Sequence, residues 1–342
     1  MSKIIIITSI LTGYVFFTKA QEIETSPLTL SGSVDTYYKY DLSGYKPGNI
    51  NTSFANENNS ISLGMLNLAL RKTSGKASFL GEVSFGPRGQ HQSLLPADDG
   101  NSFHIQNLNV TYAFTDKFSM TAGFMGTFIG YEVISPAGNF NYSTSYLFSN
   151  GPFQNAGIKA SYAFSDKVSL MAGLFNDWNV YQDFNGVSDF GAQLFLSPAE
   201  GLNTYLNIIT GHPSGTEFDL TASYQLSTKF KLGLNAADYT KPDKDDGGFS
   251  GAALYPQYAF SDSFALGLRG EYFKAKEGSD MIGLAAGEDI TSITLSANVK
   301  AGGLTFIPEY RLDNGSAEGF FKENGSMTKS ASQFSLAVIY GF

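Results

Sequence analysis

Tyr112-Ala113-Phe114-Thr115-Asp116-Lys117-Phe118-Ser119-Met120 returns twice with small changes, as Tyr162-Ala163-Phe164-Ser165-Asp166-Lys167-Val168-Ser169-Leu170 and as Tyr258-Ala259-Phe260-Ser261-Asp262-Ser263-Phe264-Ala265-Leu266. Tyr224-Gln225-Leu226-Ser227-Thr228-Lys229-Phe230 is a looser copy. In each, apolar residues alternate with small or polar ones on both sides of a short polar turn. Period-two alternation around such a turn predicts a β-hairpin. Aromatic residues flank the turn in every copy. Tight turns banded by aromatics suggest the periplasmic rim of an outer-membrane β-barrel.

The same plan extends along the chain. Residues 28–42 place Leu28, Leu30, Val34, Tyr38, Tyr40 and Leu42 on one face, with Asp35 and Lys39 on the other. Tight turns are expected near 73–75, 115–117, 165–167, 197–201, 227–229, 261–263 and 301–303. Longer connections are expected near 43–59, 86–102, 129–153, 180–187, 212–216, 241–249, 275–289 and 314–331. Short and long connections alternate strictly, which gives about sixteen strands and puts both ends on the short-turn side. The weakest alternation is at 188–211. The fold class is therefore all-β: a transmembrane, antiparallel, up-and-down β-barrel with short periplasmic turns and long outer loops. A strand of about ten residues, tilted ~40°, gives a band ~25 Å tall, suited to a bacterial outer membrane.

Alternation alone does not separate this barrel from a soluble sandwich, which would turn its apolar face inward. The ends of the chain favour the barrel. Residues 1–20 carry Lys3, a largely apolar run from Ile4 to Phe17, and small residues at Thr18 and Ala20, as in a cleaved secretory signal; the alternative is an uncleaved anchor helix. Residues 21–27 are then a short periplasmic segment and 28–342 the barrel. Phe334-Ser335-Leu336-Ala337-Val338-Ile339-Tyr340-Gly341-Phe342 alternates and ends on an aromatic, like the signal that the bacterial barrel-assembly machinery reads. A closed sheet pairs all its backbone groups, so one face can meet outer-membrane lipid. The other face carries Asp35, Lys39, Lys159, Arg269, Glu271, Glu309, Arg311 and Asp313, which are the pore-lining candidates. A one-residue slip would turn them to lipid, at ~2–4 kcal/mol for a midplane Arg or Lys.

Composition excludes other classes. The chain has 342 residues, no cysteine and a net charge of −9, so neither disulfide chemistry nor a nucleic-acid partner is indicated. The three histidines, His91, His104 and His212, form no Ser-His constellation, which argues against an enzyme. Asp243-Lys244-Asp245-Asp246-Gly247-Gly248 lacks the closing glutamate of a calcium loop. No metal and no cofactor are implied.

Three blocks make the chain resemble the beta-barrel porin-2 family: Gly32-Ser33-Val34-Asp35-Thr36-Tyr37-Tyr38-Lys39-Tyr40-Asp41; Gly123-Phe124-Met125-Gly126-Thr127-Phe128-Ile129-Gly130-Tyr131-Glu132 with its continuation through Gly157-Ile158-Lys159; and Asn176-Asp177-Trp178-Asn179-Val180-Tyr181-Gln182-Asp183. The resemblance implies an outer-membrane barrel passing small hydrophilic solutes, with no catalytic residues to carry over. The third outer loop of general porins folds inward and narrows the pore. The loop 129–153 holds that ordinal place here and is rich in aromatics, so Tyr131, Glu132, Tyr142 and Tyr146 are the constriction candidates. The competing readings are a loop capping the rim and inward charges that merely pair. The alternative function is a structural or adhesive barrel with a blocked lumen. Sixteen strands are compatible with a homotrimer, although no residue here demonstrates one.

Overall fold

A computed structural model describes residues 26–90, 104–243 and 247–342. The expected signal segment 1–20, most of 21–27, His91 with the rest of 91–103, and residues 244–246 of the acidic loop lie outside the described residues.

The strands are β1 (Thr29–Asp41), β2 (Ser60–Ser74), β3 (Ala77–Phe85), β4 (His104–Ala113), β5 (Phe118–Gly126), β6 (Gln154–Ser165), β7 (Val168–Phe175) and β8 (Asp189–Ala199). They continue as β9 (Leu202–Gly211), β10 (Gly215–Gln225), β11 (Phe230–Thr240), β12 (Gly248–Ser261), β13 (Phe264–Ala275), β14 (Asp289–Ala301) and β15 (Leu304–Gly315). The pair β16 (Phe320–Phe321) and β17 (Met327–Thr328) forms a small hairpin of its own, and β18 (Ser330–Gly341) completes the set. β1 to β15 and β18 make one closed barrel of sixteen antiparallel strands, sealed where β18 pairs with β1 from Ser33↔Gly341 to Asp41↔Gln333. Gly32 and Phe342 extend that seam by exchanging backbone hydrogen bonds of 2.9 and 3.0 Å.

The seven tight turns fall where the alternation places them. The weak segment 188–211 forms the ordinary pair β8 and β9. One long connection is shorter than expected: only residues 212–214 separate β9 from β10. The repeated hairpin text repeats in space. Tyr112–Phe114, Tyr162–Phe164 and Tyr258–Phe260 meet edge-on at 4.9, 4.9 and 4.8 Å, because residues two apart share a strand face.

Outward rows such as Leu28, Leu30, Leu108, Val110, Leu254, Leu268, Ile293, Leu295 and Tyr310 are exposed, the reverse of a sandwich. A closed sheet with an apolar exterior is what a bilayer core requires of a strand-built protein. This belt ends toward the long loops at Asp238 and Lys276, which join at 2.8 Å on the outer surface. The protein's own apolar clusters lie inside, where loops descend into the barrel. The largest joins Ile50 and Tyr146 to Phe249 and Phe273, and another joins Phe54, Phe148 and Phe153.

Candidate functional site

Residues 127–153, between β5 and β6, enter the lumen and cross it. Aromatic side chains set the path. Phe128 rests on Gly191 of β8, Tyr131 on Gly233 of β11, and Phe140 on Gly267 of β13. A Cβ at these glycines would run into the Phe128 ring, the Tyr131 hydroxyl and the Phe140 ring, so a larger residue would have to push them aside. Tyr131 also stacks on Tyr255 at 4.5 Å. Its neighbour Gly130 donates its N–H to Asp219 of β10 at 3.1 Å.

Beyond Tyr131 the loop is tied to the wall formed by β13, β14, β15 and β1. Glu132 pairs with Arg269 at 2.8 Å, and Arg269 also donates to the Ser143 carbonyl at 2.6 Å and to Thr294 at 3.2 Å. Glu309 accepts the N–H groups of Tyr142 and Ser143 at 2.8 and 3.1 Å. Glu271 accepts the Leu147 N–H at 2.9 Å. Arg311 grips Asp313 through Nε and Nη2 at 2.8 and 3.0 Å and the Thr144 carbonyl at 2.8 Å, with its guanidinium 4.8 Å from the Tyr146 ring centre. The Tyr142 hydroxyl donates to Asp35 at 2.6 Å and the Tyr146 hydroxyl to Asp313 at 2.7 Å. Burial pushes both phenols well above their ordinary range, and the facing carboxylates add to the effect; burial also raises Tyr131. The Tyr142 and Tyr146 hydroxyls are therefore neutral donors at physiological pH.

The inward charges expected from alternation do point inward, but most are not open to water. Asp35, Lys39, Arg269, Glu271, Glu309, Arg311 and Asp313 are all buried, six of them beneath hydrogen bonds to the loop or to one another. Lys159 differs: it borders an open cavity of about 440 Å³ with Tyr131, Gln193, Tyr205 and Ser223. Of the loop residues, Tyr142, Tyr146 and Glu132 are buried anchors, whereas Tyr131 borders three separate cavities.

Sequence reasoning missed three features. The first loop is not simply polar: it sends Phe54 against Phe148 and Phe153, at 5.9 and 5.5 Å, and Ser53 bonds Ser149. Arg88, on the one-turn helix α1 (Pro87–Gln90), lies 4.9 and 4.8 Å from the Phe54 and Tyr142 rings and donates to the Ile134 and Tyr142 carbonyls. Two carboxylates are clamped by flanking amides. Asn67 and Asn107 hold Glu82, each at 2.6 Å; Asn207 and Asn235 hold the two oxygens of Asp219. Inward parity alone could have flagged these last residues, since each falls in an inward row.

The cavities left beside the loop are bordered by amides, hydroxyls, Lys159, Lys231 and the clamped Glu82. Among the described residues no cluster of His, Cys, Asp or Glu is arranged to hold a metal. The chain matches, over residues 27–342, the family described as beta-barrel porin-2, OmpL-like. No curated protein matches it. Among solved structures it is similar to the outer membrane channel DcaP of Acinetobacter baumannii, at 12% identity, TM-score 0.62, 92% of this chain and 97% of that one. It is also similar to an anion-selective porin from Comamonas acidovorans (16%, 0.60, 93% and 100%). A third is the trimer form of OmpT from Vibrio cholerae (14%, 0.57, 93% and 99%). At such identities the likeness is one of fold.

Proposed function

The chain belongs to the beta-barrel porin-2 family, and on that premise we propose that it is a bacterial outer-membrane channel for passive diffusion of small hydrophilic solutes. The observation that carries this reading is the loop 127–153. It crosses the lumen on a built set of anchors and leaves cavities on the opposite side, bordered by Tyr131. An inward loop held this firmly acts as a fixed constriction. Solutes then pass between the Tyr131 edge and the polar wall of β2 to β11. On this reading the buried charges hold the constriction in place, and Lys159 with Lys231, which borders a cavity of about 330 Å³, sets the local field.

The short-turn end, with its aromatic band, faces the periplasm, and the long loops face outward. Phe342, at the seam with Gly32, would be presented to the assembly machinery. The trimer form of the Vibrio cholerae relative supports a trimer for this chain as well. A second reading, a structural barrel with a blocked lumen, draws on the first loop and Arg88 packing over the constriction loop.

Single-channel recording of the refolded protein in a planar bilayer separates the two. Discrete, stable openings support the channel, and the reversal potential in a salt gradient gives the sign of its field. A folded, heat-modifiable barrel that never conducts would sink the channel reading.

A further inference from the structure

The two amide clamps are built alike, but their surroundings differ. In the first, Glu82 on β3 is held by Asn67 on β2 and Asn107 on β4. In the second, Asp219 on β10 is held by Asn207 on β9 and Asn235 on β11. The second clamp is closed by the protein itself: Gln193 donates to the Asn207 carbonyl at 2.9 Å, and Gly130 of the constriction loop donates to Asp219. In the first clamp the Asn67 side-chain oxygen is buried and takes no hydrogen bond among the described residues. The same holds for the side-chain oxygen of Gln154, whose nitrogen is committed to Gln106. Asn67 is 7% exposed and Gln154 1%, and both line one cavity of about 280 Å³ between the β2–β4 wall and the loop edge near Tyr131. A β-bulge at Glu82/Val83 brings the consecutive residues Gln106 and Asn107 both to that cavity.

We infer that this cavity is a binding site for neutral polyhydroxylated solutes of about monosaccharide size, inside the channel whose function is proposed above and resting on that reading. The uncommitted groups are amide carbonyls, which accept hydrogen bonds and carry no net charge. They call for a ligand with O–H donors. Glu132 is paired with Arg269, and both Glu82 oxygens hold amide donors, which fix that carboxylate in place but leave its charge. An anion would meet the Glu82 charge with no cation in the lining to receive it, and a cation would compete with the two amide N–H donors already on that carboxylate. Ile129, Val133 and Phe153 supply apolar surface for the C–H faces of a sugar ring. The volume lies near the lower end of the ~300–1,000 Å³ of small-molecule sites.

The test is ion-current block by D-glucose, with gluconate as a charged probe of similar size. Saturable interruption by glucose, and not by gluconate, is the expected result. Gln154→Leu should raise the half-blocking concentration about 3- to 10-fold, the worth of one neutral hydrogen bond. Asn67→Ala, combined with Glu82→Gln so that no carboxylate is left unmatched, should raise it by at least as much. A conducting channel that glucose slows only through viscosity, identically in the variants, overturns the site and leaves the channel reading standing. If the folded barrel never conducts, the channel reading fails, and calorimetric titration of glucose into the detergent-solubilised protein decides the site by itself. Saturable heat, weakened in Gln154→Leu, keeps it; no heat overturns it.

Discussion

Removing Arg269 should release the lumen-crossing loop 127–153 at its most highly connected anchor. Its guanidinium is fully buried and holds Glu132 at 2.8 Å, the Ser143 carbonyl at 2.6 Å, and the Ser143 hydroxyl, Thr144 carbonyl and Thr294 hydroxyl at 3.2–3.3 Å. Arg269→Met keeps much of the volume but leaves the Glu132 carboxylate buried without its cation. Breaking a buried pair from one side costs about 3–5 kcal/mol. Glu132→Gln combined with Arg269→Met removes the orphaned charge as well. The double variant should therefore be more stable than Arg269→Met alone, by about 1–3 kcal/mol, the desolvation cost of an unmatched group. The assay is the urea midpoint of the heat-modifiable folded band in detergent, read as a double-mutant cycle. Single-channel traces of Arg269→Met should also show added open-state noise as the loop moves. If the single variant loses less than about 1 kcal/mol, or if the double variant is less stable than the single by the full cost of Glu132→Gln, the ion pair does not hold the loop and the reasoning fails.

The remaining expectations follow from the same geometry. Lys159→Glu and Lys231→Glu, which border open cavities, should shift the reversal potential toward cations, whereas Asp35→Asn, covered by Tyr142, should lower stability with little change in selectivity; the opposite ranking in a salt gradient would refute the assignment of covered and uncovered charges. Gly233→Val should displace Tyr131, whose hydroxyl lies 2.3 Å from the Cβ position, and alter conductance at a cost of about 1–3 kcal/mol; unchanged current would show that Tyr131 does not border the path. Because burial raises the Tyr142 and Tyr146 phenols, their contribution is intact below the ordinary phenol range of ~10 and is lost as pH climbs through the raised folded values. A heat-modifiability series from neutral pH into alkali should show that loss, and Tyr142→Phe with Tyr146→Phe should flatten it; an identical alkaline slope in the variant would discount these two groups.

The barrel was legible because its signal is local. Alternation in β13 and β15 sets Arg269, Glu271, Glu309, Arg311 and Asp313 on one face, and closure then decides which face is inside. The hairpin repeats announced the turns in the same way. Burial of those charges was not legible, because it depends on which long-range segment lands on them: Glu309 meets Tyr142, and Arg311 meets Thr144, each pair 167 residues apart in the chain. Phe54 is the sharpest instance. Within a stretch of Asn, Ser and Gly it reads as a lone aromatic in a solvated loop, yet it packs between Phe148 and Phe153 because two loops share the lumen. Arg88 escaped notice for the same reason, since nothing in Pro87-Arg88 marks a cation destined for two aromatic faces.

The seam between β1 and β18 has a kinetic consequence. Every other wall contact joins barrel strands that follow one another in the chain, with only the small β16–β17 hairpin intervening between β15 and β18, so each can form soon after its own hairpin does. The pairing of Val34 with Tyr340 and of Asp35 with Ile339 joins the two extremes of the described sequence. Its loop-closure entropy is the largest of any pair, and contacts of such separation form slowly. Until it forms, β1 and β18 are open edges with unpaired N–H and C=O groups, which hydrocarbon cannot solvate and neighbouring chains can capture. This single zipper is therefore the step expected to limit folding and to expose the chain most to aggregation. Substitutions along it should slow insertion far more than equal damage to an internal hairpin, even where final stability is the same.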